Sequence, residues 1–209
     1  DAAPEPIGSG TNDTRAVILA DCDGDGDLDL VTGNFDGPTR YYSNNGTADP
    51  FENVDAAEIE VAQTHALAVA DTNGDGLLDL LIGNQDARDR VHLNNGETIP
   101  YNDTTGKDLG QAGFFTKALA VGDMDNDGDI DVVAGHAGQN LLYLNAGGDE
   151  GLTGVEGIPF DDGFEETTAL AVLDADNDGD LDVLVGNDGT PVMYWANAAT
   201  SPPFDGVEA

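Results

Sequence analysis

Basic residues are scarce in this chain. Lys and Arg together number 6 in 209 residues, against 42 Asp and Glu, and the formal net charge is −36. A surface of that sign repels phosphate backbones and anionic headgroups, which argues against nucleic acid and acidic membranes as partners. Long apolar runs are missing too. None approaches the ~20 residues that cross a bilayer, so membrane insertion is not expected. A single cysteine, Cys22, rules out an intrachain disulfide framework. The segment Asp1 to Pro6 has neither a basic nor an apolar stretch, so a signal peptide is expected either never to have been there or to have been removed.

Catalytic side chains are equally sparse. The serines are Ser9, Ser43 and Ser201, none in a Gly-x-Ser-x-Gly setting. His65, His92 and His136 are scattered, and no His-Glu-x-x-His or Cys/His cluster suggests a catalytic zinc. Glu165–Glu166 reads as a solvated turn rather than a glycosidase pair. These absences point away from an enzyme.

What is present is glycine, 28 residues of it, and apolar residues at 39% of the chain, gathered in short blocks such as Ala16–Ala20 and Leu77–Ile82. A disordered acidic chain would spread them thinly. Self-comparison organises the rest. The string DCDGDGDLDLVTGN begins at Asp21, DTNGDGLLDLLIGN at Asp71, DMDNDGDIDVVAGH at Asp123 and DADNDGDLDVLVGN at Asp174. Ahead of them stand TRAVILA, THALAVA, TKALAVG and TTALAVL. Behind them follow YYSNNG, VHLNNG, LYLNAG and MYWANA, then a Pro-aromatic or Pro-x-aromatic step. The chain divides into repeats at approximately 1–54, 55–105, 106–161 and 162–209. Its tail, PFDGVEA, is in phase with PFENVDA at Pro50–Ala56, and its head with Asp55–Glu60.

Each repeat reads as three strands and a short fourth: Ala16–Ala20, Leu28–Thr32, Arg40–Ser43 and a segment around Phe51–Val54 in the first copy. The first strand is apolar on both faces and must be covered on both. Four-stranded units of about 50 residues, stacked face to face, meet that need as propeller-type blades. The expected class is therefore all-β, with a metal loop between the first and second strands of each blade.

That loop has the form D-x-[DN]-x-D-G-x-x-D. Side-chain oxygens at positions 1, 3, 5 and 9 and the backbone carbonyl at position 7 are placed to wrap a hard cation, and position 6 is Gly in every copy. The candidate ligands are Asp21, Asp23, Asp25, Asp27 and Asp29 in the first loop. In the second they are Asp71, Asn73, Asp75, Leu77 and Asp79. The third offers Asp123, Asp125, Asp127, Asp129 and Asp131, and the fourth Asp174, Asp176, Asp178, Asp180 and Asp182. The cation expected is Ca²⁺, about four per chain, with the second loop weakest because it carries least charge. An EF-hand is excluded, since position 12 is Thr32, Ile82, Ala134 or Val185 and never Glu. Asp and Gly also form plain turns, but the four loops concentrate 18 of the 42 acidic residues. Without a cation such carboxylates would repel one another or hold protons.

The pattern of this loop between an apolar strand and a [LI]-D-[LV]-[LV] strand resembles the FG-GAP/VCBS repeats, the calcium-binding blades of integrin α-type propellers and of many secreted bacterial proteins. The resemblance covers all four units. It implies a β-propeller with Ca²⁺ at the blade rims, in a secreted or cell-surface protein. Family propellers have seven or eight blades where this chain supplies four.

Three functions fit these features. One is a ligand-binding or adhesion module, for a protein or glycan, that uses the positions varying between repeats. These are Arg15, His65, Lys117 and Thr168, and the turns Phe35–Arg40, Gln85–Arg90, Ala137–Asn140 and Asp188–Pro191. Another is a structural polymer assembled by self-association, as a closed dimer or an open filament. The third is a non-catalytic scaffold domain of a polysaccharide-acting enzyme. Tyr41, Tyr42, Tyr143, Tyr194 and Trp195 read either as sugar-stacking platforms or as packing between blades.

Overall fold

A computed structural model describes residues 5–8, 12–102, 105–110, 113–163, 165–198 and 203–204. Among them there is no helix, and the chain forms four small antiparallel sheets. Sheet I holds β1 (Thr14–Ala20), β2 (Asp29–Asn34), β3 (Pro38–Tyr42) and β4 (Ala57–Val61). Sheet II holds β5 (Gln63–Ala70), β6 (Asp79–Gln85), β7 (Asp89–His92) and β8 (Lys107–Leu109). Sheet III follows with β9 (Thr116–Gly122), β10 (Asp131–His136), β11 (Leu141–Tyr143) and β12 (Ile158–Pro159). Sheet IV has β13 (Thr167–Leu173), β14 (Asp182–Asn187) and β15 (Met193–Trp195), with no fourth strand among the described residues.

The first three strands of each repeat form where the sequence places them, with shifted ends. The fourth requires a correction. Phe51–Val54 lies in a turn, in which Asn45 N donates to Pro50 O (2.9 Å) and Glu52 N to Asp49 O (3.1 Å). The proline-aromatic step folds the chain back instead of extending it. The strand comes later, at Ala57–Val61. Ala57 and Ile59 pack against the core there, Glu58 is exposed, and Glu60 is half-buried. Because β4 pairs with β3, sheet I runs past the expected break at 54/55, and β8 carries sheet II past 105/106.

The sheets stack in chain order, and the first strands lie side by side: β1 against β5, β5 against β9, β9 against β13. The core is the set of spaces between sheets. Val31, Tyr41, Leu80, Ile82 and Tyr101 fill the first, Leu81, Val91, Val132, Ala134 and Tyr143 the second, and Val133, Leu142, Phe160, Val183 and Trp195 the third. The reading of packing between blades thus holds for Tyr41, Tyr143 and Trp195, whereas Tyr42 is buried with its ring against Gly8 and Tyr194 is 43% exposed. Among the described residues the stack does not close. The outer face of β1 stays open at Val17 and Leu19, 65% and 58% exposed.

Glycine sets how closely the sheets approach. A Cβ at Gly33, Gly83 or Gly135 would lie 2.6, 2.7 or 2.5 Å from the Cγ2 of Thr64, Thr116 or Thr167 in the following sheet. Polar groups are also buried between sheets. Asp89 accepts from Asn84 N (2.8 Å) and from Thr116 Oγ1 (2.7 Å). Burial pushes its carboxyl up to about 6, despite these two donors. The folded state therefore holds this proton more tightly than the unfolded chain. Burial of Asp89 costs nothing below about pH 4 and costs its full amount above about pH 6, roughly 2–3 kcal/mol. Sheet III carries Asn140 at the matching position, where its Oδ1 accepts from His136 N (2.8 Å). Asp89→Asn should accordingly match the wild type near pH 4 and exceed its stability above pH 6. Urea titrations at the two pH values test this, and an equal effect at both would refute it.

Candidate metal centre

Each acidic loop joins the first two strands of a sheet, and its own hydrogen bonds turn it inward. The position-1 aspartates accept from the position-6 glycines: Asp21 from Gly26 N (3.1 Å), Asp71 from Gly76 N (2.8 Å), Asp123 from Gly128 N (3.0 Å) and Asp174 from Gly179 N (3.2 Å). The glycines have φ between 88° and 101°, a backbone that other residues adopt only with strain. At position 5, Asp25, Asp75, Asp127 and Asp178 accept from the N–H two residues on, at 2.8–3.0 Å.

Position 9 fixes the loop to the sheet. Asp29, Asp79, Asp131 and Asp182 are wholly buried. One oxygen of each accepts from the N–H at position 2 of its loop (Cys22, Thr72, Met124, Ala175; 2.7–3.1 Å). The other accepts from Asn44, Asn94, Asn145 or Asn197 N (2.7–2.8 Å). Burial pushes the Asp131 carboxyl up to about 6. At Asp182 burial acts in the same sense but is outweighed by the N–H donors and the Tyr194 hydroxyl, and the pKa falls below the usual range.

Three of the loops gather carboxylates closely. Asp21, Asp23 and Asp29 bring one oxygen each within 4.8 Å of one another, as do Asp123, Asp125 and Asp127, and Asp174, Asp176 and Asp182. Asp25, Asp131 and Asp178 stand outside those triads. So do the position-7 residues. Asp27, Leu77 and Asp129 turn their side chains toward Gly46, Gly96 and Gly147, and Asp180 accepts from Asn126 Nδ2 of the preceding loop (2.6 Å). The second loop forms no such triad among the described residues. Asn73 there spends its amide on Asp75 (3.0 Å).

The donor set fits a hard cation. It is all oxygen, and two of its atoms, Asp21 Oδ1 and Asp125 Oδ1, are buried without any hydrogen-bond partner. An unmatched buried carboxylate oxygen is costly unless a proton or a cation meets it. Burial and then neighbouring carboxylates push Asp23 and Asp125 upward, the response of a site crowded with like charge. All-oxygen carboxylate sets of this kind are the chemistry that Ca²⁺ takes.

The structure adds residues that sequence reading passed over. Asn94, Asn145 and Asn197 donate through Nδ2 to the position-2 carbonyl of the preceding loop, at Cys22 (2.8 Å), Thr72 (2.7 Å) and Met124 (2.7 Å). The same amides reach Leu78, Ile130 and Leu181 O in their own loops (3.0–3.3 Å). The first three loops are thus each clasped by the next sheet. The signal was an asparagine recurring in the aromatic-rich segments YYSNNG, VHLNNG, LYLNAG and MYWANA. Cys22, whose carbonyl the first clasp engages, is buried, and burial pushes its thiol up to about 11.

The variable positions Arg15, His65, Lys117 and Thr168 occupy the β-bulges that interrupt β1, β5, β9 and β13, at the opposite end of the strands from the loops. Rings and cations alternate there. The Arg15 guanidinium lies 5.4 Å from the Phe35 ring, Phe35 is 5.3 Å from His65, His65 4.5 Å from Phe115, and Lys117 Nζ 5.0 Å from Phe115. All six cations are ion-paired: Arg15 with Asp13, Arg40 with Glu58, Arg88 and Arg90 with Asp108, Lys107 with Glu150 and Lys117 with Glu166.

A family model described as FG-GAP-like repeat matches residues 21–82, 71–134 and 123–185, running from the first loop to the fourth. No curated protein matches the chain. Among solved structures, BBS1N in complex with ARL6DN, soaked with lead, is similar at 15% identity with a TM-score of 0.62. A mercury-soaked crystal of that complex gives 16% and 0.62. Each alignment covers 93% of this chain and 57% of the other, so the chain spans little more than half of those relatives. The V. cholerae biofilm matrix protein Bap1 matches at 17% identity and a TM-score of 0.47, over 88% of this chain and 30% of that one. The likeness to BBS1N is one of fold.

Proposed function

The chain belongs to the FG-GAP-like repeat family, and from that premise we propose a calcium-binding propeller-type module of a secreted or cell-surface protein, used for ligand binding or adhesion rather than catalysis. The observation that carries the calcium reading is the pair of orphaned carboxylate oxygens on Asp21 and Asp125, inside loops that crowd further carboxylates around them. The net charge of −36 supports a calcium-rich setting, where bound cations offset self-repulsion. The row of bulge residues from Arg15 to Lys117 is the surface proposed for a protein or glycan ligand, because it varies between repeats while the loops do not.

Elemental analysis of protein dialysed in calcium is the direct test. About four Ca²⁺ per chain are expected, with the ion at Asp71–Asp79 released first on titration with chelator. Absence of bound metal would refute the reading. A second reading, a building block of an extracellular fibre or longer array, is favoured by the open apolar faces of β1 and β13.

A further inference from the structure

The building-block reading leaves open what covers the two outer faces, and the internal junctions answer it. Each has up to three parts. The first is the glycine notch of the earlier sheet, filled by a buried threonine of the later one: Gly33 by Thr64, Gly83 by Thr116, Gly135 by Thr167. The second is a row of alanines, clearest at Ala66, Ala68 and Ala70, beneath which Leu119 and Val121 of the next sheet pack. The third is the asparagine clasp on the loop carbonyl.

A fourth junction is present as two unmated halves. On sheet IV, a Cβ at Gly186 would meet only Ala169 of its own sheet, at 3.4 Å. Glycine inside a strand weakens it unless something needs the space, and no other sheet among the described residues uses this notch. Ala169 and Ala171 beside it are exposed, and Leu173 is 39% exposed. No asparagine among the described residues meets Ala175 O. On sheet I, Thr14 is exposed where its three counterparts are fully buried. Val17 and Leu19 stand open beside it. Asn44 Nδ2 donates to its own Leu28 O (2.9 Å), and no bond to a second loop is found among the described residues.

We propose that sheet I of a second copy docks on sheet IV. Thr14 enters the Gly186 notch, Val17 and Leu19 cover Ala169 and Ala171, and Asn44 clasps Ala175 O. The interface is head-to-tail, so it closes into a ring or propagates according to its rotation.

Sedimentation velocity of the chain in millimolar calcium at physiological salt, where charge repulsion is screened, is the test. The wild type should sediment above the 21.6 kDa monomer. Gly186→Val fills the notch and Val17→Glu charges the opposing face. Each should weaken self-association roughly tenfold to a hundredfold while melting like the wild type. Mixed together, the two variants should form a one-to-one pair, because each keeps one intact half. A wild type that stays monomeric at all concentrations overturns the proposal, as does a mixture that does not pair. Bound calcium measured on the same samples separates the two readings. A calcium-loaded monomer refutes docking alone, and a metal-free chain that assembles and pairs as described supports docking while refuting the calcium reading.

Discussion

Stripping calcium with excess EDTA should lower the melting temperature by roughly 20–40 °C, the largest effect anticipated for this molecule. Binding of a cation to the folded loops alone stabilises by mass action, about 2.7 kcal/mol per site at a hundredfold excess over the dissociation constant. Four sites then contribute on the order of 10 kcal/mol, as much as the whole stability of an ordinary domain. At this chain length each kcal/mol shifts the midpoint by about 2–4 °C. The loops reach the core through position 9, where buried Asp29, Asp79, Asp131 and Asp182 tie them to the backbone beyond the third strand. Loosened loops therefore loosen the clasps between sheets. Magnesium should restore little, since it demands tight octahedral geometry and sheds water reluctantly. Differential scanning calorimetry with and without chelator decides the matter. An unchanged midpoint would refute the role given to the loops.

The periodicity made this site legible. Four nine-residue acidic loops recur at a nearly constant period, and the glycine at position 6 takes the positive φ that its place demanded. The closeness of Asp21, Asp23 and Asp29 follows from their spacing. What spacing did not reveal is the division of labour among the carboxylates. Position 9 spends both oxygens on backbone N–H groups from two different segments, one of them about 15 residues away, and no local pattern announces such a partner.

The fourth strand was missed for a related reason. Pro50–Phe51 is the most conspicuous feature of its segment, yet proline and its neighbour close a turn there. The strand Ala57–Val61 carries two glutamates, which lower its apolar signal. One of them, Glu60, faces the next sheet, where His92 Nε2 lies 3.0 Å from its carboxylate. A glutamate that reads as solvent-facing in the sequence is thus part of a junction. The cations teach the same lesson. Each one is matched with a carboxylate that the folded chain brings to it, a partner that sequence spacing does not announce.

Among single substitutions without any change of charge, Gly83→Val should do the most damage, although valine is a better strand former than glycine. The new Cβ would stand 2.7 Å from Thr116 Cγ2 and 3.1 Å from Ala66 Cβ. Thr116 cannot swing aside freely, because its hydroxyl is bonded to buried Asp89 (2.7 Å). Relief therefore requires sheets II and III to part, or that bond to break and leave an unmatched carboxylate oxygen. Overpacking costs about 1–3 kcal/mol and an orphaned buried acceptor a similar amount. The sum, roughly 3–5 kcal/mol, corresponds to a fall of about 6–20 °C in melting temperature. The equivalent change at Gly186 meets nothing closer than 3.4 Å. There the gain in strand propensity is unopposed, and the monomer should melt unchanged or slightly higher. Thermal melts of the two variants in calcium, below the concentration at which chains associate, isolate the cause. Equal losses would mean that these glycines serve the backbone of their own strands. A loss confined to Gly83→Val would mean that they are cut to the shape of the next sheet.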